Sequence, residues 1–362
     1  MRKKLLFFLG CFLLTGWCSF WIFLTYPIHV KKHARRTEYP FSKGSKNILF
    51  YDFPSYYELA NLPPQNCTGN CNFLTQSSAS DIADAIVVFS HDHILGRTKI
   101  DLVKKLGQTW VFFAVESPTY SYQNSLSNPR FRQHFNWTMT YRWDSDIFFG
   151  YIRTNRRSIP ETVSEREREL QTMKLAFRQK TKLVAWMVSH CATDSKRERY
   201  VKELKNHIQV DIYGACGTLK CDNWTACDEM VAKDYKFYLS FENTLCKDYA
   251  SEKLLKILQK RQTVPIVRGG ADYTTVCPPD SVVNTADFPS AAALAEHLKK
   301  LANDEEAYVK MLKWGWDYEV VQPQLPLCQL CEWMHDPRRV RQPYQDAVKW
   351  WSEGICHKPK DL

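Results

Sequence analysis

Hydrophobic positions in this chain fall into short β-rich runs separated by charged stretches of helical character. Asn47–Phe53 (NILFYDF), Ala85–Phe89 (AIVVF) and Trp110–Val115 (WVFFAV) are strongly apolar and predict strands. Lys99–Leu106, between the last two, carries a helical pattern, and Ser164–Lys180 is charged and rich in helix formers, suiting a helix that leaves a first domain. A second series follows: strand Leu183–Val188, helix Lys196–His207, strands Val210–Tyr213 and Phe237–Phe241, helix Ser251–Arg261 and strand Val264–Val267. Strands alternating with helices predict parallel sheets with covering helices. The chain therefore reads as two α/β halves, 47–170 and 171–362, with a cleft between them. A nucleotide-linked ligand belongs in such a cleft, at the carboxyl ends of the strands. Tyr344–Trp351 predicts a closing helix whose adjacent tryptophans, Trp350 and Trp351, pack into the core.

One run breaks this pattern. Leu5 to Tyr26 is 22 residues without a charge, long enough to cross a hydrocarbon layer of about 30 Å as a helix. It exceeds the apolar region of a signal peptide, roughly 7–15 residues, and no small-x-small cleavage site follows it. It predicts a membrane anchor behind a short tail (1–4), with the basic, aperiodic stretch 27–46 as a solvated stem. Of the formal charge of +10, residues 1–46 carry nine Lys/Arg against one acid, or +8, which leaves +2 for the body. A nucleic-acid partner is therefore not expected. Basic residues flank the apolar run on both sides, so charge alone leaves its orientation open.

Glycosylation signals and cysteines bear on orientation more directly. The sequons at Asn66, Asn136 and Asn223 all lie beyond the run, as do eleven of the thirteen cysteines. Both features belong to an oxidising lumen. Cys67, Cys71, Cys328 and Cys331 form two pairs close in sequence and are disulfide candidates, though connectivity cannot be read from spacing. Eleven is odd, so at least one thiol is free or pairs between chains. Zinc bound by those four cysteines is the rival reading.

The densest chemistry lies in Phe237–Lys253 (FYLSFENTLCKDYASEK), a buried strand that ends in polar residues and then opens a helix. Ser251 is a candidate N-cap; the helix N-terminus and Lys253 would attract a diphosphate, and Glu252 would accept from sugar hydroxyls. The same residues also fit a solvated, well-capped helix start. Lys196-Arg197-Glu198-Arg199 opens a second helix after a strand, either to grip phosphate through Arg197 or as a solvated face. Glu116 ends the strand Trp110–Val115 just before Ser117-Pro118, where a desolvated carboxylate would serve as a base; it could equally cap a turn. Asp144-Ser145-Asp146 resembles a metal-binding Asp-x-Asp. The chain has no glycine-rich P-loop or dinucleotide fingerprint, which argues against ATPases and NAD enzymes.

The 237–253 segment closely resembles the signature of the α1,3-fucosyltransferase family. Glu116-Ser-Pro118, Tyr141–Ile147 (YRWDSDI), Tyr200–Leu204 (YVKEL) and Cys328-x-x-Cys331 extend the resemblance over roughly 47–356. The resemblance implies an α/β fold of the GT-B type, two facing Rossmann-like domains preceded by one N-terminal transmembrane helix, in a type II Golgi membrane protein with a luminal body. It implies inverting transfer of fucose from GDP-fucose to the 3-hydroxyl of GlcNAc on glycoprotein glycans, with Glu116 as general base. Arg197 and Lys253 would hold the diphosphate, and Asn243, Tyr249 and Glu252 would line the donor site. No tightly bound cofactor is implied; Mn2+ can stimulate but is not required, and Asp144–Asp146 becomes structural. Cys191, Cys216, Cys221, Cys227 and Cys246 look most like the core enzymes of plants and invertebrates, which act on the innermost GlcNAc; a Lewis-type enzyme and a silent lectin-like scaffold are the alternatives. Two residues depart from the family pattern: His190, where Asn follows Val-Ser, bears on a donor-cleft contact, and Arg268, where an aliphatic residue precedes the glycines, bears on the acceptor side.

Overall fold

The computed structural model describes residues 44–51, 53, 67, 69–90, 102–121, 126–221 and 223–362. The expected anchor, the stem up to residue 43 and the sequon asparagine Asn66 lie outside them. Among the described residues no helix is long and apolar enough to cross a membrane.

Six strands, β1 (Lys46–Tyr51), β2 (Cys71–Leu74), β3 (Ala85–Phe89), β4 (Thr109–Ala114), β5 (Trp137–Thr140) and β6 (Ile147–Phe148), pair in parallel in the order β2-β1-β3-β4-β5-β6. The uninterrupted apolar run of β4 follows from burial on both faces. Val111 and Phe113 point into one core, while Phe112 packs edge-on against Phe135 and near Trp351 on the other. The expected helix Lys99–Leu106 does not form over its described part: residues 102–105 are irregular and a turn follows at Leu106-Gly107. Leu102 is buried, but Val103 and Leu106 are exposed, so the apparent apolar stripe has nothing to pack on. Gly107 then adopts φ +79°, a conformation that ends helices.

β7 (Arg153–Arg156) leaves this sheet and leads to α1 (Val163–Gln179), which a capping box of Thr162 and Glu165 starts. The second layer then runs β8 (Lys182–Met187), α2 (Arg197–Leu204), β9 (Val210–Tyr213), α3 (Trp224–Asp234), β10 (Tyr235–Phe241), α4 (Glu252–Lys260), β11 (Val264–Arg268), α5 (Tyr273–Val276), β12 (Val283–Asn284), α6 (Ala291–Asn303) and α7 (Glu305–Lys310). Its strands are also all parallel, in the order β12-β11-β10-β8-β9. The chain returns through β13 (Tyr318–Val321), which pairs antiparallel with β7, so the outgoing and returning segments hydrogen-bond to each other.

The C-terminal helices α8 (Leu327–His335) and α9 (Ala347–Ser352) then pack on the first sheet, one on each face. Leu327 and Leu330 join the core of β1, β3, β4 and β5, and Trp351 is wholly buried against Phe112 and Tyr141. Trp351 is thus a core residue, in the helix expected near Tyr344–Trp351. A division at residue 170/171 does not follow this packing, because the tail completes the first layer rather than the second.

The cysteines resolve into five bridges: Cys67–Cys328, Cys71–Cys331, Cys191–Cys216, Cys221–Cys227 and Cys246–Cys356. The first two join α8 to the segment entering β2, which excludes the zinc reading for those four sulfurs. His335 lies beside Cys71 and Cys331, but both sulfurs are already in a bridge. Cys277 is the odd thiol of the eleven, buried and pushed up to about 12 by that burial. Alkylation of the unreduced protein should therefore label Cys277 only after denaturation and none of the ten bridged cysteines, read by peptide mass mapping. Labelling of any of the ten would refute the pairing.

Candidate active site

In the second sheet the strand order reverses between β8 and β10, which opens a crevice at the carboxyl ends of these two strands. Two loops meet there: one runs from β8 to α2, the other from β10 to α4. The Ser195 N–H donates to the Asn243 carbonyl at 3.0 Å, and the Ser195 hydroxyl to the Glu242 carbonyl at 2.7 Å.

Glu242, which the sequence reading did not single out, closes the second loop. It is 1% exposed. Its Oε1 accepts from the Ser251 N–H at 2.8 Å, the Ser251 hydroxyl lies 2.8 and 2.9 Å from its two oxygens, and Oε2 is 3.2 Å from Lys253 Nζ. An acid directly after a largely apolar strand, the position that singled out Glu116, was the signal that could have revealed it. Ser251 stands at the expected N-cap position, but its side chain makes no cap; the hydroxyl is committed to Glu242. The Ser251 hydroxyl therefore leaves the start of α4 to Glu252, whose carboxylate accepts from its own N–H.

Lys253 also contacts Glu252 at 3.2 Å. Burial penalises its charge, yet Glu242, Glu252 and Glu116 outweigh that penalty and hold its pKa above the ordinary lysine value. Desolvation alone would raise the Glu252 carboxyl, but Lys253 and hydrogen bonds from its own N–H and from Ser251 together hold it below its usual range. The side chain of Glu252 is 58% exposed while that of Glu242 is 1% exposed. Glu252 is thus the partner of Lys253 that an incoming anion can displace.

Glu116 follows β4 across the cleft. Its Oε2 accepts from the Tyr249 hydroxyl at 2.9 Å, so its partner comes from the opposite layer and not from a turn of its own. Burial raises its pKa; Lys253 and the Tyr249 hydrogen bond pull it part of the way back, and the net shift is upward. Tyr249 is fully buried, with its ring centroid 5.0 Å from Tyr141 and 6.3 Å from Tyr151. It acts as a support for Glu116 rather than as an open wall of the crevice.

Arg197 opens α2 and is 4% exposed. NH1 donates to the Phe241 carbonyl at 2.7 Å and NH2 to the His190 carbonyl at 3.3 Å, while Nε has no protein partner. Burial lowers its pKa against the pull of Glu242 and Glu198. Asn243 Oδ1 and Thr244 Oγ1 are likewise buried without partners beside it, the condition of groups that await a polar ligand. The ring of His190 meets Tyr120 of the first layer, centroids 5.4 Å apart, so the departure at this position bridges the cleft while its backbone holds Arg197. Arg268 does not reach an acceptor side. It ends β11, buried over the Tyr200 ring, with bonds to the Ser195 carbonyl and the Asp361 carboxylate.

Other expected residues lie elsewhere. Asp144 pairs with Arg142 and Lys247, and Asp146 with Arg341, Tyr344 and Thr138, so the two carboxylates do not converge on one point. Asn136 is woven into the first layer: Oδ1 accepts from the Trp110 N–H at 3.0 Å and from Lys104, and Nδ2 donates to the Arg341 carbonyl at 3.0 Å. Asn223 caps α3, and it lines a cavity of about 340 Å3 with Val188, Ser189, Tyr213 and Gly214 at the carboxyl ends of β8 and β9. The Cys191–Cys216 bridge joins the loops that follow β8 and β9, and the bridged Cys221 and Cys227 line the cavity.

Residues 43–152 match the family described as fucosyltransferase, N-terminal, and residues 177–351 match glycosyltransferase family 10 (fucosyltransferase), C-terminal. The chain is 36% identical over 286 residues to alpha-(1,3)-fucosyltransferase C of Drosophila melanogaster, covering 75% of this chain and 66% of that protein. It is 33% identical over 306 residues to an alpha-(1,3)-fucosyltransferase of Caenorhabditis elegans, covering 81% and 66%. A 3-galactosyl-N-acetylglucosaminide 4-alpha-L-fucosyltransferase of Bos taurus is 35% identical over 279 residues, covering 73% and 70%. The chain thus spans about two thirds of the length of the two invertebrate relatives.

The contacts of Glu116 fix the direction in which its titration responds to substitution. A donated hydrogen bond and a nearby cation both favour the charged carboxylate, so Tyr249→Phe and Lys253→Met should each raise the Glu116 pKa further. Infrared titration of the carboxyl band, assigned with Glu116→Gln, measures this. A shift to lower pH in either variant would refute the arrangement.

Proposed function

Because the chain belongs to glycosyltransferase family 10, the fucosyltransferases, we propose that it transfers L-fucose from GDP-fucose to the 3-hydroxyl of a GlcNAc in glycoprotein glycans. The observation that carries this reading is the pairing, across one cleft, of a carboxylate raised in pKa by burial with a half-buried cation at a helix start. The acceptor hydroxyl gives its proton to Glu116 as its oxygen bonds to the fucose anomeric carbon. The bond from that carbon to the β-phosphate oxygen breaks, and the electron pair leaves with GDP. Lys253, the start of α4 and Arg197 face the charge that develops on the diphosphate. The partnerless Asn243 Oδ1 supplies an acceptor in the crevice, and the cavity at β8 and β9 suits the purine. With Asp144 and Asp146 held by Arg142, Lys247 and Arg341, neutralisation of the diphosphate falls to these cationic groups.

We take the innermost, asparagine-linked GlcNAc as the acceptor, on the strength of the cysteines that resemble the core enzymes and that here form the bridges Cys191–Cys216 and Cys221–Cys227. Transfer to N-acetyllactosamine is the competing specificity. The apolar run Leu5–Tyr26 and the bridged body support a type II arrangement in the Golgi membrane, with residues beyond the run in the lumen.

Incubation of the protein with GDP-fucose and either a core-bearing N-glycopeptide or free N-acetyllactosamine, read by mass spectrometry, tests the reading. Fucosylation of the innermost GlcNAc is expected, with a loss of at least about a hundredfold in Glu116→Gln and of about that order in kcat for Lys253→Ala. Chelation of divalent cations should not abolish transfer. Transfer to lactosamine alone would move the protein to the Lewis type; inertness toward both, with the fold intact, would sink the transferase reading.

A further inference from the structure

The loop between β5 and β6 carries an aromatic stack that the chemistry above does not use. Behind it stands Gly150, where a Cβ would come within 2.6 Å of Cζ at the tip of the Phe148 ring, so the missing side chain makes room for that ring. The Trp143 indole lies on Phe148 with ring centroids 4.0 Å apart and planes within 2° of parallel. One face of the indole is thereby covered, yet the residue remains 49% exposed. A tryptophan that served only to close the apolar core would be expected to bury both faces.

The stack stands beside the base. The backbone N–H of Trp143 donates to Asp248 Oδ2 at 3.2 Å, and the residue after Asp248, Tyr249, holds Glu116. Asp248 is fixed in the left-handed region, with φ +62°. Two residues before Trp143, Tyr141 packs on the Tyr249 ring. Asp144, the next residue, accepts from Arg142 and pairs at 3.3 Å with Lys247, and the two members of that ion pair are 42% and 52% exposed, so they can reach hydroxyl groups. A flat, electron-rich face bordered by charged hydrogen-bonding groups suits a pyranose, whose axial C–H bonds present weak positive charge to the ring while its hydroxyls point outward. The purine of the donor has its own cavity on the other layer, at β8 and β9.

We propose that the outward face of Trp143, backed by Phe148 and Gly150, is a stacking subsite for a pyranose of the acceptor glycan, beyond the residue that receives fucose. The assignment rests on the transferase reading for the identity of the ligand. It makes Trp143 a determinant of preference for extended over minimal acceptors.

The test compares full-length wild type, Trp143→Ala and Trp143→Phe with three probes: a biantennary N-glycopeptide, a simple β-GlcNAc glycoside and GDP-fucose. Trp143→Ala should raise KM for the glycopeptide about five- to tenfold. It should leave kcat, the GDP-fucose KM and the KM of the simple glycoside unchanged, and Trp143→Phe should recover most of the loss. Calorimetry with the glycopeptide alone should show the same weakening without turnover. Equal glycopeptide binding by wild type and Trp143→Ala, or an equal loss toward the simple glycoside, would overturn the subsite, as would a wild type that binds no glycopeptide. A wild type that binds the glycopeptide through Trp143 but transfers no fucose would leave the subsite standing while the transferase reading fails.

Discussion

The carboxylate of Glu242 holds the centre of this molecule together. Loop 243–250 leaves the end of β10 and comes back to the start of α4, and Glu242 joins those two ends through the Ser251 N–H and hydroxyl and through Lys253. Everything the cleft needs from the second layer hangs from that closure: Asn243 beside Arg197, Cys246 bridged to the tail, Asp248 bonded to the Trp143 N–H, and Tyr249 on Glu116. A carboxylate this deeply buried is tolerable only with its partners in place. Removal of one member of such a pair typically costs about 3–5 kcal/mol, because the other is left charged and unpaired. The same geometry explains Gly270, whose Cα packs against the Cys246 backbone where any side chain would collide.

A second constraint comes from the far end of the chain. The first sheet has its faces covered by α8 and α9, and α8 is bridged to the entry of β2 across sequence separations of 260 and 261 residues. The first layer cannot complete its core until the last helices have been made, so its folding depends on contacts very distant in sequence. The tail then continues past Trp351 to Cys356, where it pairs with Cys246, and Asp361 reaches the buried Arg268. One segment therefore fastens the outer face of the first layer to the loop that carries Asn243 and Tyr249. With β7 and β13 hydrogen-bonded side by side, the two layers are joined at more than one place, and Glu116 and Lys253 can be held in register although they belong to different sheets.

These dependencies mark where the sequence was legible. The strands β4, β10 and β11 are buried on both faces and read directly as apolar runs, and α4 and α1 were recognisable from their formers. The short strands β2 and β5 were not, since CNFL and WTMT owe their place to neighbours in the sheet rather than to their own pattern. The Lys99–Leu106 pattern misled because spacing says nothing about whether a surface exists to cover it. In the site, Glu116 and Lys253 could be named from their position at element ends. Glu242 ends its strand as Glu116 does, but its partners, Ser251 and Lys253, reach it only through a loop that folds back, so its burial was not legible. The pairing of Cys67 with Cys328 and of Cys71 with Cys331 was beyond reach for the same reason: it depends on a helix returning from the other end of the chain.

The electrostatics of the cleft couple the two halves of the proposed reaction. Lys253 is the charge that most strongly restrains the rise in the Glu116 pKa, and it is also the cation that would meet the diphosphate. An anion placed on Lys253 would offset that restraint and add its own repulsion, so the Glu116 carboxylate would become more basic once a donor is seated. Glu252, the exposed partner, would yield its contact with Lys253 to the phosphate and turn free to accept hydroxyl groups, while Glu242 keeps the ammonium in place. In the proposed reaction the base would therefore be weakest with the crevice empty and would strengthen as the leaving group arrives, a coupling that calls for no movement of the backbone.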